Sequence, residues 1–157
     1  MSLIYETENY KVDAVDKPLV DREDGGHIVV VPKRRVVDRT QLEPKEAIEL
    51  MRLTMVVGEA FGIVMNRRGV DIGRINYQDN GNWSVFKPDG PQMHIHLYGR
   101  AKSAKFNKYG EAIFSKKMTD TDWYDNFKPL NEGDIKEIKQ EILEILKREK
   151  YKDSNWF

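Results

Sequence analysis

The 157-residue chain contains no cysteine, and this absence restricts its chemistry. Without thiols there is no disulfide, no thiolate nucleophile and no cysteine-ligated zinc, so a reducing cytosol is the expected location. No apolar run approaches the roughly 18 residues that cross a bilayer, and the N-terminus lacks a basic region followed by an apolar core. We therefore expect a cytoplasmic protein without membrane contact.

The chain also lacks an excess of either charge, with 26 Lys and Arg residues against 26 Asp and Glu residues. A balanced chain has no overall positive field to attract a phosphodiester backbone, so we expect no nucleic-acid partner. The length and the 39% apolar content suit a single globular domain over residues 1–157. No internal repeat or low-complexity linker divides the sequence.

Histidine is scarce, and two of the three histidines lie in one short run at residues 92–97. Side chains alternate between the faces of a β-strand, so His94 and His96 share one face about 7 Å apart. The other face carries apolar side chains, namely Met93, Ile95 and Leu97. The pattern predicts a strand with a chemical face and a core face, because burying two titratable rings together is costly without a function.

Two adjacent imidazoles suit three kinds of chemistry: metal binding, nucleophilic or acid–base catalysis, and phosphate binding through N–H donors. A three-nitrogen zinc site would need the third histidine, His27, which opens the strand-like segment 27–32. The one carboxylate close to the pair in sequence is Asp89. An ordinary structural role for the rings is the alternative to all three.

The remaining patterns predict an α+β fold. Consecutive β-branched residues at 27–32 indicate a strand that is covered on both faces or central in a sheet, and alternation at 70–77 indicates another strand. Pro44 favours a helix start, an apolar stripe follows it at helical spacing, and a second helix is expected over about residues 132–150. The strands and helices do not alternate as βαβ units, which favours the α+β class.

The histidine run resembles the signature of the histidine triad (HIT) superfamily, His-φ-His-φ-His-φ-φ followed by Gly-Arg or Pro-Arg, where φ is apolar. The chain reads Gln-φ-His-φ-His-φ-φ-Gly-Arg, so His94 and His96 match the second and third histidines and Gln92 replaces the first. The segment Gly-His27-Ile-Val-Val-Val-Pro-Lys is similar to an early strand of that superfamily, which implies that His27 lines the same pocket. The resemblance covers roughly residues 10–100.

The resemblance implies an antiparallel sheet with helices on one side, usually in a homodimer, and a nucleotide hydrolase or nucleotidyl transferase. It assigns attack on the α-phosphate to His94, which forms a nucleotidyl-histidine, with His96 as the catalytic partner. The implied substrates are purine nucleotide conjugates, either dinucleoside polyphosphates such as diadenosine tetraphosphate or nucleoside phosphoramidates. No cofactor is required, although a divalent cation can accompany a polyphosphate substrate.

The same resemblance suggests which residues bind the substrate. Asn76 and Ser84 match the superfamily loop Asn-x-Gly…Gly-Gln-Ser-φ, with Trp83 in place of its Gln. Residues 86–91 are then an insertion before the histidine strand. The expected substrate-binding residues are His27, Asn76, Ser84 and Gln92.

Two other functions remain open from the sequence. The first is a zinc-dependent hydrolase or metal-binding protein that uses His27, His94 and His96 as ligands. The second is a catalytically weak nucleotide-binding module, because the signature lacks its first histidine at Gln92.

Overall fold

The computed structural model of the chain contains five strands in one open sheet. The structure describes residues 1–157 apart from the side chain of Asn82. The strands are β1 (Ser2–Glu6), β2 (Tyr10–Ala14), β3 (His27–Pro32), β4 (Ile72–Gln78) and β5 (Ile95–Ala101). Their order is β1-β2-β3-β5-β4, and every neighbouring pair is antiparallel. The histidine strand β5 is therefore interior, whereas β4 is an edge strand.

Two helices cover one face of the sheet. α1 (Pro44–Arg67) begins at a proline. Proline has no backbone N–H, and the first turn of a helix offers no acceptor for one, so proline suits this position. Glu43 takes part in a capping box. α2 (Glu132–Leu146) begins after Asn131, whose side chain caps the helix. The core between helices and sheet includes Val12, Val30, Phe61, Leu97 and Ile138. This arrangement confirms the predicted α+β class with helices on one side.

The second helix is shorter than its apolar stripe predicts. It ends at Leu146 rather than near Lys150, because the following 3-10 turn, Glu149–Tyr151, directs Tyr151 into the core. Trp156 stacks on Tyr151 with ring centroids 6.3 Å apart. Among the described residues, no helix combines the length and the apolar character needed to cross a membrane.

A buried ionic cluster joins both helices to the turn before β3. The Asp134 carboxylate is fully buried and accepts hydrogen bonds from Arg22 at 2.6 and 2.8 Å and from Arg68 at 2.5 Å. Burial raises the pKa of Asp134, but the bonds from Arg22, from the Asn131 backbone and from Arg68 outweigh it, so the pKa is lowered. The carboxylate therefore stays ionised and holds the three segments together.

The turn before β3 lies directly against β5. Gly25 has a φ of 137°, and a Cβ at this position would lie 2.1 Å from the carbonyl oxygen of Gly99. The backbone of Gly99 also donates to the Gly26 carbonyl at 3.1 Å. Only glycine allows so close an approach of the two backbones. The contact lets residues 15–26 cross the face of the sheet that is opposite the helices.

That opposite face is also covered by residues 102–130, here called the cover segment. Its Tyr124 and Phe127 pack against Tyr98 of β5 in a second apolar cluster. The buried Asp24 carboxylate accepts three backbone N–H groups of the segment at 2.7–2.8 Å, those of Lys105, Phe106 and Asn107. The cover segment is thus fixed to the sheet and forms a wall beside the histidine strand.

Candidate functional site

The two clustered histidines lie on the face of the sheet that is opposite the helices. His94 directly precedes β5 and His96 lies within it, while Met93, Ile95 and Leu97 point into the helix-side core. The two imidazole rings are 4.5 Å apart between centroids and nearly perpendicular. The alternation in the sequence therefore produces one apolar face and one face that carries both rings.

The hydrogen bond of His94 determines which of its nitrogens is free. Its Nδ1 lies 2.8 Å from the backbone carbonyl oxygen of Gln92. A carbonyl oxygen only accepts hydrogen bonds, so Nδ1 carries the proton and donates it. In the neutral ring Nε2 then has the unshared electron pair, which is the state that a nucleophilic imidazole requires.

The tautomer of His96 is fixed through His27. The backbone N–H of Leu19 donates to Nδ1 of His27 at 3.2 Å, so the proton of that ring is on Nε2. Nε2 of His27 lies 2.8 Å from Nδ1 of His96 and therefore donates to it. The remaining nitrogen of His96, Nε2, then carries a hydrogen that is available as a donor.

Both rings of this relay are held neutral. Burial, followed by the neighbouring His96 and His94, lowers the pKa of His27 well below its ordinary value of 6.5. Burial and the neighbouring His94 lower the pKa of His96 to about 4. The face of Tyr98 stacks on His96 with centroids 5.3 Å apart, which adds to the apolar surroundings of the ring. At neutral pH the relay consists of two neutral rings in defined tautomers.

A cavity of about 1230 Å³ opens over the histidine pair. His94 and His96 line it, and the lining also includes Asn76, Gln78, Trp83 and Ser84. The Oδ1 atom of Asn76 accepts a hydrogen bond from Arg100 at 2.7 Å. Because Arg100 has only donors, the amide nitrogen of Asn76 must point away from it, toward the cavity. The Ser84 hydroxyl donates to the Gly81 carbonyl at 3.2 Å.

The predicted site residues divide into two groups. His94, His96, Asn76 and Ser84 line the cavity. His27 is 2% exposed and lies behind His96, so its contact is with that ring rather than with the cavity. Gln92 is half-buried, lies outside the cavity lining and contributes its backbone carbonyl to His94.

The positions of the histidine ring nitrogens are relevant to the alternative prediction of a zinc site formed by three histidines. Nε2 of His27 and Nδ1 of His96 are hydrogen-bonded to each other, so neither has an electron pair directed at a shared metal. Among the described residues, no group of three or more histidine, aspartate or glutamate side chains is arranged to hold a metal ion. The three histidines thus form a hydrogen-bonded chain and a free ring rather than a tripod.

A family model described as the HIT domain matches residues 2–103 of the sequence. The chain belongs to the HIT domain family. HIT domain proteins are in general nucleotide-binding hydrolases and transferases. The match covers the five strands and α1, and it leaves most of the cover segment and all of α2 outside.

Solved structures of other HIT proteins share this fold. A histidine triad protein from Sinorhizobium meliloti 1021 is 16% identical, with a TM-score of 0.62 over 91% of this chain and 87% of that chain. A hypothetical histidine triad nucleotide-binding protein from Sulfolobus tokodaii strain7 is 18% identical, with a TM-score of 0.59 over 99% and 91%. A Zn-bound histidine triad family protein from Mycobacterium smegmatis is 19% identical, with a TM-score of 0.57 over 91% and 84%. No curated protein sequence matches the chain.

Two cavity residues of the HIT domain were not predicted from the sequence. Gln78 pairs with His96 across β4 and β5, and its place two residues after Asn76 in a strand is the signal that identifies it. Arg100 is 6% exposed and donates to the carbonyls of Lys108 at 2.9 Å and Glu111 at 2.7 Å. No local pattern marks Arg100 as buried, because its acceptors belong to the cover segment.

We expect the buried rings to make the protein sensitive to mild acid. The pKa of His27 and that of His96 are lower in the folded than in the unfolded chain, so the unfolded chain binds more protons as the pH falls below about 6.5. The free energy of unfolding should therefore be constant above that pH and should decline as the pH falls toward 4. Urea denaturation at several pH values measures the decline.

A His96→Gln variant is the control for this pH dependence, because carboxylates with lowered pKa values also lose stability in acid. The variant should lose less stability between pH 6.5 and pH 4 than the parent protein loses. Identical slopes in the two proteins would contradict a buried, neutral His96.

Proposed function

We propose that the protein is a nucleotide hydrolase that cleaves at the α-phosphate of a nucleotide conjugate through a covalent nucleotidyl-histidine on His94. One observation carries the proposal: the Gln92 carbonyl accepts a hydrogen bond from Nδ1–H of His94, so that in the neutral ring the electron pair is on Nε2, beside a cavity. Membership in the HIT family supports the same reaction class. Transfer to an acceptor other than water would use the same intermediate.

The first step joins His94 to phosphorus. The electron pair of Nε2 attacks the α-phosphorus, and the bond from phosphorus to the leaving group breaks with its electron pair going to the leaving atom, which in a phosphoramidate also takes a proton from water. The ring becomes positively charged as it is phosphorylated, and the Nδ1–H bond to the Gln92 carbonyl stabilises that charge. A neutral imidazole suits this attack because it is not repelled by the phosphate oxygens.

His96 assists the same step. Its Nε2–H is the donor that the His27 relay leaves free, and it stabilises an oxygen on the phosphoryl group or on the leaving group. Water then attacks the phosphorus, the bond to Nε2 of His94 breaks with its electron pair returning to the ring, the proton lost by the water passes to solvent, and a nucleoside monophosphate is released. In this account His94 and His96 are catalytic residues and His27 is a positioning residue.

The replacement of the first signature histidine by Gln92 is compatible with turnover in this mechanism. The interaction that His94 makes with position 92 is to the backbone carbonyl, which any residue supplies. The proposed contribution of Gln92 is therefore its backbone carbonyl. The replacement of histidine at this position does not by itself require the protein to be a catalytically weak nucleotide-binding module.

Asn76 and Ser84 are the proposed substrate-binding residues of the cavity. Arg100 fixes the amide of Asn76 so that its two N–H donors face the cavity, where phosphate or ribose oxygens would accept them. Ser84 lines the cavity from the loop before β5, and its hydroxyl oxygen, whose hydrogen goes to the Gly81 carbonyl, can accept a hydrogen bond from a ribose hydroxyl. The neutral N–H donors of Asn76 orient phosphate oxygens without bringing a charge of their own to the cavity.

A substrate panel tests the proposal. Purified protein is incubated with diadenosine tetraphosphate and with adenosine 5′-phosphoramidate, with and without a chelator and with added magnesium. We expect release of adenosine monophosphate from at least one substrate, no need for a bound cofactor, and at most a stimulating effect of magnesium on the polyphosphate. No cleavage of either compound, or cleavage that depends on stoichiometric zinc, would overturn the proposal.

We also propose that the protein assembles as a homodimer through β4 and α1. β4 is an edge strand with unpaired backbone groups on one side. Tyr77 of β4 is 50% exposed and packs over Gly58 of α1, and Met51 of α1 is 59% exposed. Apolar side chains next to an open strand edge suit an isologous contact with a second copy. Light scattering should give twice the mass of the chain, and a monomer at micromolar concentration would refute the contact.

A further inference from the structure

The cavity extends beyond the histidine pair toward the start of β4. Arg74, Asn76 and Gln78 all line it, and Gln78 pairs with His96. At about 3.3 Å per residue, Arg74 lies about 13 Å along the strand from Gln78. The cavity therefore has a second end, which is remote from the phosphorus that His94 attacks.

The cover segment forms the wall of this second end. Tyr109, Glu111 and Ile113 line the cavity there, and they lie outside residues 2–103 that match the HIT domain. The ring of Tyr109 packs over Gly73, where a Cβ would come within 2.8 Å of it. One wall of this end is thus built by a part of the chain that the family match does not include.

The second end carries more positive than negative charge. Arg74 is exposed and, within the described part of the chain, has no carboxylate within ion-pair distance. The hydrogen bonds of the buried Arg100 go to neutral acceptors, the Asn76 amide oxygen and carbonyls of the cover segment. Glu111 is the one acidic side chain among the described residues that line the cavity. Burial lowers the pKa of Arg100 despite the opposing effects of Tyr109 and Asp24, so an anion in the cavity would further stabilise its charge.

The volume of the cavity agrees with a ligand longer than a nucleoside monophosphate. Its 1230 Å³ lies above the roughly 300–1000 Å³ that ligand pockets commonly have. A nucleotide whose α-phosphate contacts His94 and His96 occupies the histidine region. The region between Arg74 and Tyr109 is then available to the group on the far side of the scissile bond.

We propose that this second end is a leaving-group subsite, in which Arg74 binds anionic oxygens of the leaving group against the wall formed by Tyr109. The inference rests on the proposed hydrolase function and adds its substrate preference. When the bond between the α-phosphorus and the leaving atom breaks, the electron pair goes to that atom, and Arg74 stabilises the charge of a departing phosphate chain. Substrates with a phosphate-chain leaving group are favoured over those that release a neutral amine.

The test compares two substrates in charge-altered variants. kcat/KM is measured for diadenosine tetraphosphate, which releases a phosphate chain, and for adenosine 5′-phosphoramidate, which releases ammonia. Arg74→Glu should lower the ratio of the first value to the second by about 30-fold, as expected for loss of a charge-assisted hydrogen bond. Arg74→Lys should recover most of the ratio, since it keeps the charge.

Lys139→Glu is the matched control, because it makes the same change of charge on an exposed position of α2, on the other face of the sheet. Its ratio should equal that of the parent protein. Equal losses for both substrates in Arg74→Glu, or an equal shift of the ratio in Lys139→Glu, would overturn the subsite while leaving the hydrolase function intact. If the parent protein cleaves neither substrate, the hydrolase function fails and the subsite fails with it.

Discussion

Replacing His94 with alanine should reduce kcat by at least about 10⁴-fold, which is the scale of loss when an enzyme nucleophile is removed. The reason is that Nε2 of His94 is the nitrogen beside the cavity whose electron pair is left free by a bond to a carbonyl. His96, the other histidine among the described residues that line the cavity, cannot replace it in this tautomer because its Nε2 carries the proton, and the sequence has no cysteine.

Nucleotide binding should survive the same substitution. The remaining contacts to the substrate come from His96, Asn76 and Ser84, none of which depends on the His94 ring for its own hydrogen bonds. Titration calorimetry with adenosine monophosphate should give a dissociation constant within about threefold of that of the parent protein, since one neutral contact contributes little net free energy. Turnover at the parental rate in the alanine variant would show that His94 is not the nucleophile.

Replacing His27 with phenylalanine should reduce kcat by about 10²-fold to 10³-fold, although His27 does not touch the cavity. Phenylalanine fills the buried volume but gives no hydrogen to Nδ1 of His96. The His96 ring is then free to carry its proton on Nδ1, which leaves an electron pair rather than an N–H facing the phosphate. The loss should fall on kcat more than on KM, because the donor acts mainly on charge that develops during the reaction.

A spectroscopic readout separates this effect from simple damage to the fold. Nitrogen NMR of the histidine rings should find His96 protonated on Nε2 in the parent protein and on Nδ1 in part of the His27→Phe molecules. His27→Gln, whose side-chain amide supplies a donor, should have a kcat at least about tenfold higher than that of His27→Phe. An unchanged His96 tautomer together with the loss of activity would refute the relay.

The local periodicities of the sequence were sufficient for the elements that build the site. The apolar run at 27–32 predicts a central strand, and β3 lies between β2 and β5. The helical stripe after Pro44 predicts α1, which extends to Arg67. Alternation at residues 92–97 places both histidines on one face, as β5 does. Each of these patterns depends on residues close in sequence, so it can be read without knowing the tertiary contacts.

The cover segment and the role of His27 depend on contacts between distant residues. Asp24 holds the cover segment through three backbone N–H groups more than 80 residues away, and Arg100 holds it through carbonyls. No periodic pattern encodes such contacts. The pairing of His27 with Tyr98 sets His27 behind His96 rather than beside the cavity, and strand register of that kind is not readable from one sequence.

The most direct test of the account is a search for the covalent intermediate. The protein in excess is mixed rapidly with diadenosine tetraphosphate, quenched in alkali, in which phosphorus–nitrogen bonds to histidine survive, and digested for mass spectrometry. We expect an adenylyl group on the peptide that contains residues 92–97, located on His94, and its absence from the His94→Ala protein. Release of adenosine monophosphate without any such adduct, or an adduct on His96, would contradict the assignment of His94 as the nucleophile.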